Sequence, residues 1–297
     1  MSYHSVVLVK QVPDTRNVTG EVMTKDGTMN RSALPAIFNP EDLNALEMAL
    51  ELKERYGGKV TVLSMGPMQA AEVLREALYR GADEVILLSD RKFAGADTQA
   101  TSYTLKSAID KIGRFDLVFC GRQAIDGDTA QVGPQVAEKL GVPQITYAES
   151  ILEMGADGIT VRRVFDLGSE LVRCKLPCLL TVGASANRPR PASARKRIEF
   201  KLAAVPAEYP KLIAKWPEFV SAEALEEFLA QRHLKITVWS AADLTVDDAQ
   251  LGLAGSPTQV YKINFVVLET TESKDIAPTS AGIQALIREL IQEYIVG

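Results

Sequence analysis

DLVFCGRQAIDGDTAQVGPQVAEKLGVPQITYA, from Asp116 to Ala148, holds a complete strand, loop and helix pattern. The apolar run Leu117-Val118-Phe119-Cys120 stops at Gly121, and a polar loop follows from Arg122 to Asp128. A helix is expected over about 129–140, closed by Gly141 and Pro143, before a second short apolar run at 145–148. In this order the unpaired backbone N–H groups of the helix start face the end of the strand. They form a natural seat for a phosphate.

Many strand–loop–helix units bind nothing, so the loop shape alone leaves a purely structural role open. Asp126 and Asp128 hint at a metal, but the oxygen ligands of a calcium loop do not follow them. Helix capping is the simpler reading of both carboxylates.

Composition narrows the classes. The 297 residues exceed one average domain, yet α/β domains reach this size as a unit. A hydrophobic fraction of 46% and a charged fraction of 24% are ordinary for a globular protein. The net charge of -5 argues against nucleic-acid binding, which needs a basic face. Runs such as 6–9 and 85–88 are far below the ~20 residues that span a bilayer. The start, Met1-Ser2-Tyr3-His4, has no basic segment followed by a long apolar one, so the chain reads as cytoplasmic with no transmembrane segment. Three cysteines, Cys120, Cys174 and Cys178, without a CxxC pair give no disulfide framework or zinc ribbon. His4 and His233 lie too far apart in sequence to suggest a metal site or a catalytic triad.

The first strand is expected over 5–9, nearly continuous in β-branched residues as in a strand covered on both faces. A long polar segment, 10–38, follows, with a small hairpin expected at 21–23 and 28–29. Asn39-Pro40-Glu41-Asp42 reads as a helix start with Asn39 as cap. Leu43, Leu46 and Leu50 give that helix its apolar stripe, and Gly57-Gly58 ends it. A strand at 59–64, a helix capped by Gly81, a strand at 84–88 and a helix at 99–112 complete four βα units. Such a series calls for a parallel sheet with right-handed crossovers. Ligands then bind beyond the strands' carboxyl ends, where four segments converge: Val9-Lys10, 64–66, 89–98 and 121–131. The first strand runs into VLVKQVPD rather than GxGxxG, and no GxxxxGK[ST] is present, so a standard Rossmann dehydrogenase or P-loop enzyme is not expected.

From Glu149 the period changes. Segments 150–154, 159–165 and 170–175 read as a β-meander, followed by an apolar strand at 178–182. A basic, proline-broken stretch spans 188–197 and suits an acidic partner. A short helix is expected at 222–231, a strand at 235–239, and then a mostly irregular tail with one amphipathic helix at 280–294. That helix carries Ile283, Leu286, Ile287 and Leu290 on one stripe, which another subunit would most simply cover.

Several of these stretches together resemble the β subunit of electron transfer flavoproteins: VLVKQVPD, NPEDLNALEMALELKE, VLSMGP, GRQAIDGDTAQVGPQVAEKLG, VRRVFDLGSELVRCKLPCLLT, and the late WSAADL and GLAGSPTQV. The resemblance covers about 5–185 and 235–265. It implies an α/β fold with a doubly wound, mostly parallel sheet like that of adenine-nucleotide α-hydrolases, an added antiparallel meander and an extended C-terminal arm. The implied division is one nucleotide- or flavin-binding domain over 1–240, with an insertion at about 188–234, and an arm over 241–297 that wraps a partner α subunit.

The same resemblance implies no catalytic residues of its own and a nucleotide buried at the strand edge. In the common branch that nucleotide is AMP; in the flavin-bifurcating branch it is a second FAD, with NADH as hydride donor. GADTQATSYTL and DGDTAQVGP are similar to the second branch. Carried over by match, the nucleotide would be held by Leu8, Val9, Asn39, Asp42, Met65, Gly121, Arg122, Gln123, Ala124, Asp126, Gly127, Asp128, Thr129, Ala130, Gln131 and Val132. Gly95, Asp97 and Thr98 stand where that branch contacts flavin or NADH. A flavin brings its own redox chemistry, so the protein need only bind, orient and tune it. Arg122 would lie near the flavin's polar edge or at the surface. The family's partner-recognition segment differs here, reading NRPRPASARKR with Ala194 near the place of a leucine. This implies a downstream redox partner other than an ordinary acyl-CoA dehydrogenase, such as an iron–sulfur or quinone-reducing protein. Within the family, an AMP-holding subunit is the alternative. Outside it, a flavin-free nucleotide-binding regulatory protein is the other.

Overall fold

The β-branched run at the start of the chain becomes the middle of a nine-stranded sheet. The computed structural model describes residues 2–14, 35–156, 158–258, 274–293 and 295–296. The hairpin expected at 21–29 lies outside them. In chain order the elements are β1 (Tyr3–Val9), β2 (Gln11–Pro13), β3 (Ala36–Phe38), α1 (Pro40–Tyr56), β4 (Gly58–Met65), α2 (Ala71–Arg80) and β5 (Glu84–Leu88). There follow α3 (Thr98–Ile112), β6 (Leu117–Gly121), α4 (Val132–Leu140), β7 (Gln144–Gly155), β8 (Gly158–Phe165), β9 (Gly168–Cys174) and β10 (Cys178–Val182). The last are α5 (Ala194–Phe200), α6 (Tyr209–Lys215), α7 (Ala222–Gln231), β11 (Thr237–Trp239) and α8 (Ser280–Gln292).

The sheet order is β11-β5-β4-β1-β6-β10-β7-β8-β9, and every pairing from β11 through the first half of β7 is parallel. The chain leaves β1 toward β4 and β5 on one side, then returns to β6 on the other. The switch point therefore falls between β1 and β6, where a ligand crevice is expected in sheets of this kind.

Two apolar cores cover the two faces, as continuous rather than alternating strand hydrophobicity requires. One packs α1, α2 and the helices of the 194–231 segment around Val7, Val62, Phe119 and Leu180. The other packs α3 and α4 around Val6, Leu63, Ile86 and Val118. The fold is thus the doubly wound α/β arrangement read from the sequence. The meander differs in one respect: the run at 145–148 and the strand expected at 150–154 are one strand, β7, which pairs with β10 in parallel and with β8 antiparallel. It changes partner near Tyr147, whose φ of 57° breaks the extended path.

Residues 241–258 are not an irregular tail. Ala241, Leu244 and Leu251 are buried in the second core, and short 3₁₀ turns at Ala241–Asp243 and Asp248–Gln250 organise them. The compact unit accordingly runs to Val260, so the boundary expected at 240 falls inside it. The second unit, Tyr261–Gly297, contains α8. No helix among the described residues is long and apolar enough to cross a membrane.

Candidate functional site

The first turn of α1 grips the loop that leaves β6. Gly121 donates its N–H to Asp42 Oδ1 at 2.9 Å, Gln123 to Glu41 Oε2 at 2.9 Å, and Ile125 to Asn39 Oδ1 at 3.1 Å. Asn39 Nδ2 returns a bond to the Gln123 carbonyl at 2.9 Å. Asp42 Oδ2 also accepts the Lys10 N–H at 2.8 Å, so one carboxylate joins the ends of β1 and β6 across the switch point. Lys10 Nζ reaches Asp126 at 2.7 Å.

This geometry corrects the reading of Asn39. It stands at the cap position, but its side chain makes no cap hydrogen bond; it is fully buried and spent on the loop. Asp42 is buried as well. Burial pushes its carboxyl up from 3.8 to about 7, against the bonds from Asn39, Gly121 and Lys10 that favour the charged form. Gly121 is required for the close approach: a Cβ there would lie 2.5 Å from Asp42 Oδ1 and 2.8 Å from the Glu41 backbone.

Beyond the grip the loop turns twice. Gly127 and Asp128 N–H groups both bond back to the Ala124 carbonyl, and Asp128 (φ 49°) and Ala130 (φ 53°) take the left-handed conformation. Each such non-glycine residue costs ~1–2 kcal/mol, a strain that tends to persist where function requires it. Those turns also explain why the helix starts at Val132 rather than at about 129. Gln131 at its cap position makes no side-chain cap bond. Asp126 and Asp128 are therefore not caps: the first pairs with Lys10, and the second accepts from Gln123 Nε2 at 2.9 Å.

The start of α4 has unusual access. A Cβ on Gly133 would meet Cys120 Sγ at 2.7 Å and Thr181 Cγ2 at 2.9 Å, so the helix end lies directly on the strand ends. On its other side Gly127 faces open space, and Gly127, Asp128, Thr129 and Gln131 are exposed. The amides of Val132 and Gly133 have no acceptor within the helix, as for any first turn.

A second loop borders the first. Thr98 Oγ1 donates to Gln131 Oε1 at 2.9 Å and accepts from Gln135 Nε2 at 3.2 Å. Asp97 caps α3 through the Gln99 and Ala100 amides at 2.9 and 3.0 Å. Its other oxygen accepts the Thr258 amide and hydroxyl at 3.1 and 2.7 Å. Burial raises its pKa, but these bonds outweigh it and hold the carboxyl below the usual range. Gly95 (φ 73°) faces Leu253, 3.3 Å from where its Cβ would be. Asp97 and Gly95 thus anchor the 252–258 segment, while Thr98 touches the start of α4. Leu8 and Val9 are buried at the end of β1, and Leu8 pairs with Cys120; Met65 is half-buried at the end of β4.

Arg122 has its charge satisfied already: it pairs with Glu41 at 3.0 Å and its guanidinium lies 5.9 Å from the Tyr147 ring centroid. Glu41, Thr258 and Ser256, whose hydroxyl accepts the Asp97 N–H at 2.8 Å, were not singled out from the sequence. Glu41 carried a signal, an acid in a helix's first turn. Thr258 carried none, because its partner lies more than a hundred residues away.

The electron transfer flavoprotein domain profile matches residues 26–208. The chain is 42% identical over 291 residues to the electron transfer flavoprotein subunit beta of Thermoanaerobacterium thermosaccharolyticum, covering 98% of this chain and 99% of that one. The chain belongs to the electron transfer flavoprotein β-subunit family. It is also 43% identical over 258 residues to the caffeyl-CoA reductase–Etf complex subunit CarD of Acetobacterium woodii, with 86% of each chain covered. Protein FixA of Rhizobium meliloti is 39% identical over 297 residues, covering 97% of this chain and 90% of that protein. Electron transfer flavoprotein β subunits pair with an α subunit, and flavin is associated with that complex.

A phosphate-bearing cofactor fits the residues present. The mouth of α4 supplies amides, the Thr129 hydroxyl is exposed beside them, and the space over Gly127 is open. At the same sheet edge the Ser64 hydroxyl of β4 is buried without a hydrogen-bond partner.

Proposed function

We propose that this β subunit holds FAD at the carboxyl edge of its sheet, with NADH as the electron donor, as part of a bifurcating electron transfer flavoprotein. The flavin supplies the redox chemistry when bound. The chain's own contribution is to seat and orient it. The amides of 129–133 and the Thr129 hydroxyl hold the pyrophosphate, the clamp from Asn39, Glu41 and Asp42 fixes the loop, and Gly127 keeps the approach open.

The observation that carries this reading is the contact between Thr98 and Gln131. It joins the Gly95–Thr98 loop to the start of α4, so a ligand on the amides meets a second polar wall. A dinucleotide has a second half to place there, and AMP has none. Support also comes from the kinship with CarD, a subunit named for a reductase–Etf complex.

The partner surfaces follow the same reading. In α8, Ile283, Ile287 and Ile291 are 52%, 48% and 52% exposed at a spacing of four, a continuous apolar stripe. We assign it to the α subunit. The downstream acceptor is a redox protein docking on or near the 188–234 segment. Acid release and chromatography of the purified heterodimer tests the cofactor. Two FAD per heterodimer is the expected result; one FAD with one AMP would make the nucleotide structural and refute bifurcation.

A further inference from the structure

Cys174 closes β9 and Cys178 opens β10, with only Lys175-Leu176-Pro177 between them. Each strand end is held by its own ladder: Cys174 pairs with Ile159, and Cys178 with Leu117. The two side chains meet. Cys174 packs against the core cluster that buries Cys178, its thiol adds to burial in raising the Cys178 pKa, and it donates to the Lys175 carbonyl at 3.4 Å. Neighbouring thiols held by two fixed strands stay juxtaposed instead of finding each other by chance. The third cysteine, Cys120, is buried in the core on the opposite face of the sheet and cannot compete.

We propose that Cys174 and Cys178 are a reversible dithiol–disulfide site, oxidised by small hydroperoxides, that links the last meander strand to the parallel sheet. The two residues have different roles because their access differs. Cys174 is half-buried and within reach of solvent, whereas Cys178 is fully buried. Burial pushes the Cys178 thiol up, so it is not the group that attacks first.

In the first step the Cys174 sulfur, having lost its proton, attacks one oxygen of hydrogen peroxide. The O–O bond breaks, the sulfur becomes a sulfenic acid, and the leaving hydroxide takes up the proton as water. In the second, the Cys178 sulfur attacks the Cys174 sulfur; the S–OH bond breaks and the hydroxide leaves with the Cys178 proton as a second water. The sum is two thiols and one hydrogen peroxide giving one disulfide and two waters, a two-electron oxidation. An added dithiol reverses it by exchange.

The strand that Cys178 opens matters to the nucleotide loop. Val182, at the other end of β10, accepts the Arg122 N–H at 2.9 Å, and Thr181 lies where Gly133 meets the sheet. A bond at Cys178 therefore fixes one end of the strand that supports the start of α4.

The purified heterodimer is the material for the test. It is treated with hydrogen peroxide, alkylated, and cut with trypsin, which separates the two cysteines by cleaving after Lys175. The expected result is a linked pair of peptides lighter by about 2 Da than their sum, lost on adding dithiothreitol, with Cys120 still alkylated. In Cys178→Ser the trapping reagent dimedone should label Cys174, since nothing resolves the sulfenic acid. The proposal is overturned if Cys174 passes to the sulfinic acid while Cys178 remains a thiol, or if neither residue is oxidised before Cys120. The wild-type arm decides the matter even where the variant fails to fold.

Discussion

At the scale of single residues, Asn39 and Asp42 distinguish a helix start from a loop clamp. Asn and Asp cap helices about equally well, so Asn39→Asp should be neutral if capping were the role. Here the residue must also donate to the Gln123 carbonyl, which an ionised Asp does not do. The expected loss is about 1–3 kcal/mol in urea unfolding of the heterodimer, and an unchanged midpoint would restore the cap reading. Asp42 makes a prediction in pH. Its carboxyl rises from 3.8 in the ordinary state to about 7 in the folded chain, so the folded form keeps a proton that the unfolded form releases. Its contribution to stability is therefore complete below about pH 4 and is lost as pH rises through about 7. Asp42→Asn cannot titrate, so its unfolding midpoint should fall less between pH 5 and pH 8 than the wild type's. Parallel profiles would mean that the proton is not held there. The residues that proved hardest to read were those whose role is set by a distant partner. Asn39 in Asn-Pro-Glu-Asp looks like any cap until the loop at 123–125 is brought against it.

At the scale of elements, two glycines of one loop–helix unit separate support from binding. Gly133→Ala would push a Cβ into Cys120 and Thr181, forcing α4 off the sheet at a cost of about 1–3 kcal/mol. Gly127→Ala meets nothing within 4 Å, so stability should stay within about 0.5 kcal/mol of wild type. Under the proposed function its methyl group would project where the nucleotide approaches, and the variant should release nucleotide at least about tenfold more readily, some 1.4 kcal/mol. Equal loss of stability in both variants would place the two glycines in the same structural role. Elements built from an uninterrupted apolar run or a clear cap were legible: β5, β6, β10 and α7 lie where the pattern put them. The start of α4 was not, because backbone turns at Asp128 and Ala130 carry no mark in residue type. Nor were α5 and α6, short helices in a basic, proline-rich stretch with little apolar period of their own.

For the whole molecule, nine strands converge on an arrangement in which one sheet edge collects the ends of β1, β4, β5 and β6. That much follows from the succession of βα units in the sequence alone. The added reach of the first unit to Val260 does not, since Leu244 and Leu251 bury in the second core without any periodic signal. In the proposed function the cofactor rests on the amides at the mouth of α4. Hydrogen exchange of the heterodimer, followed by mass spectrometry of the peptides covering 129–133 with cofactor bound and after its removal, tests this most directly. Protection of those amides in the loaded complex, lost on stripping while β1 and β6 exchange as before, is the result expected. Identical exchange in both states would contradict a cofactor seated on these amides.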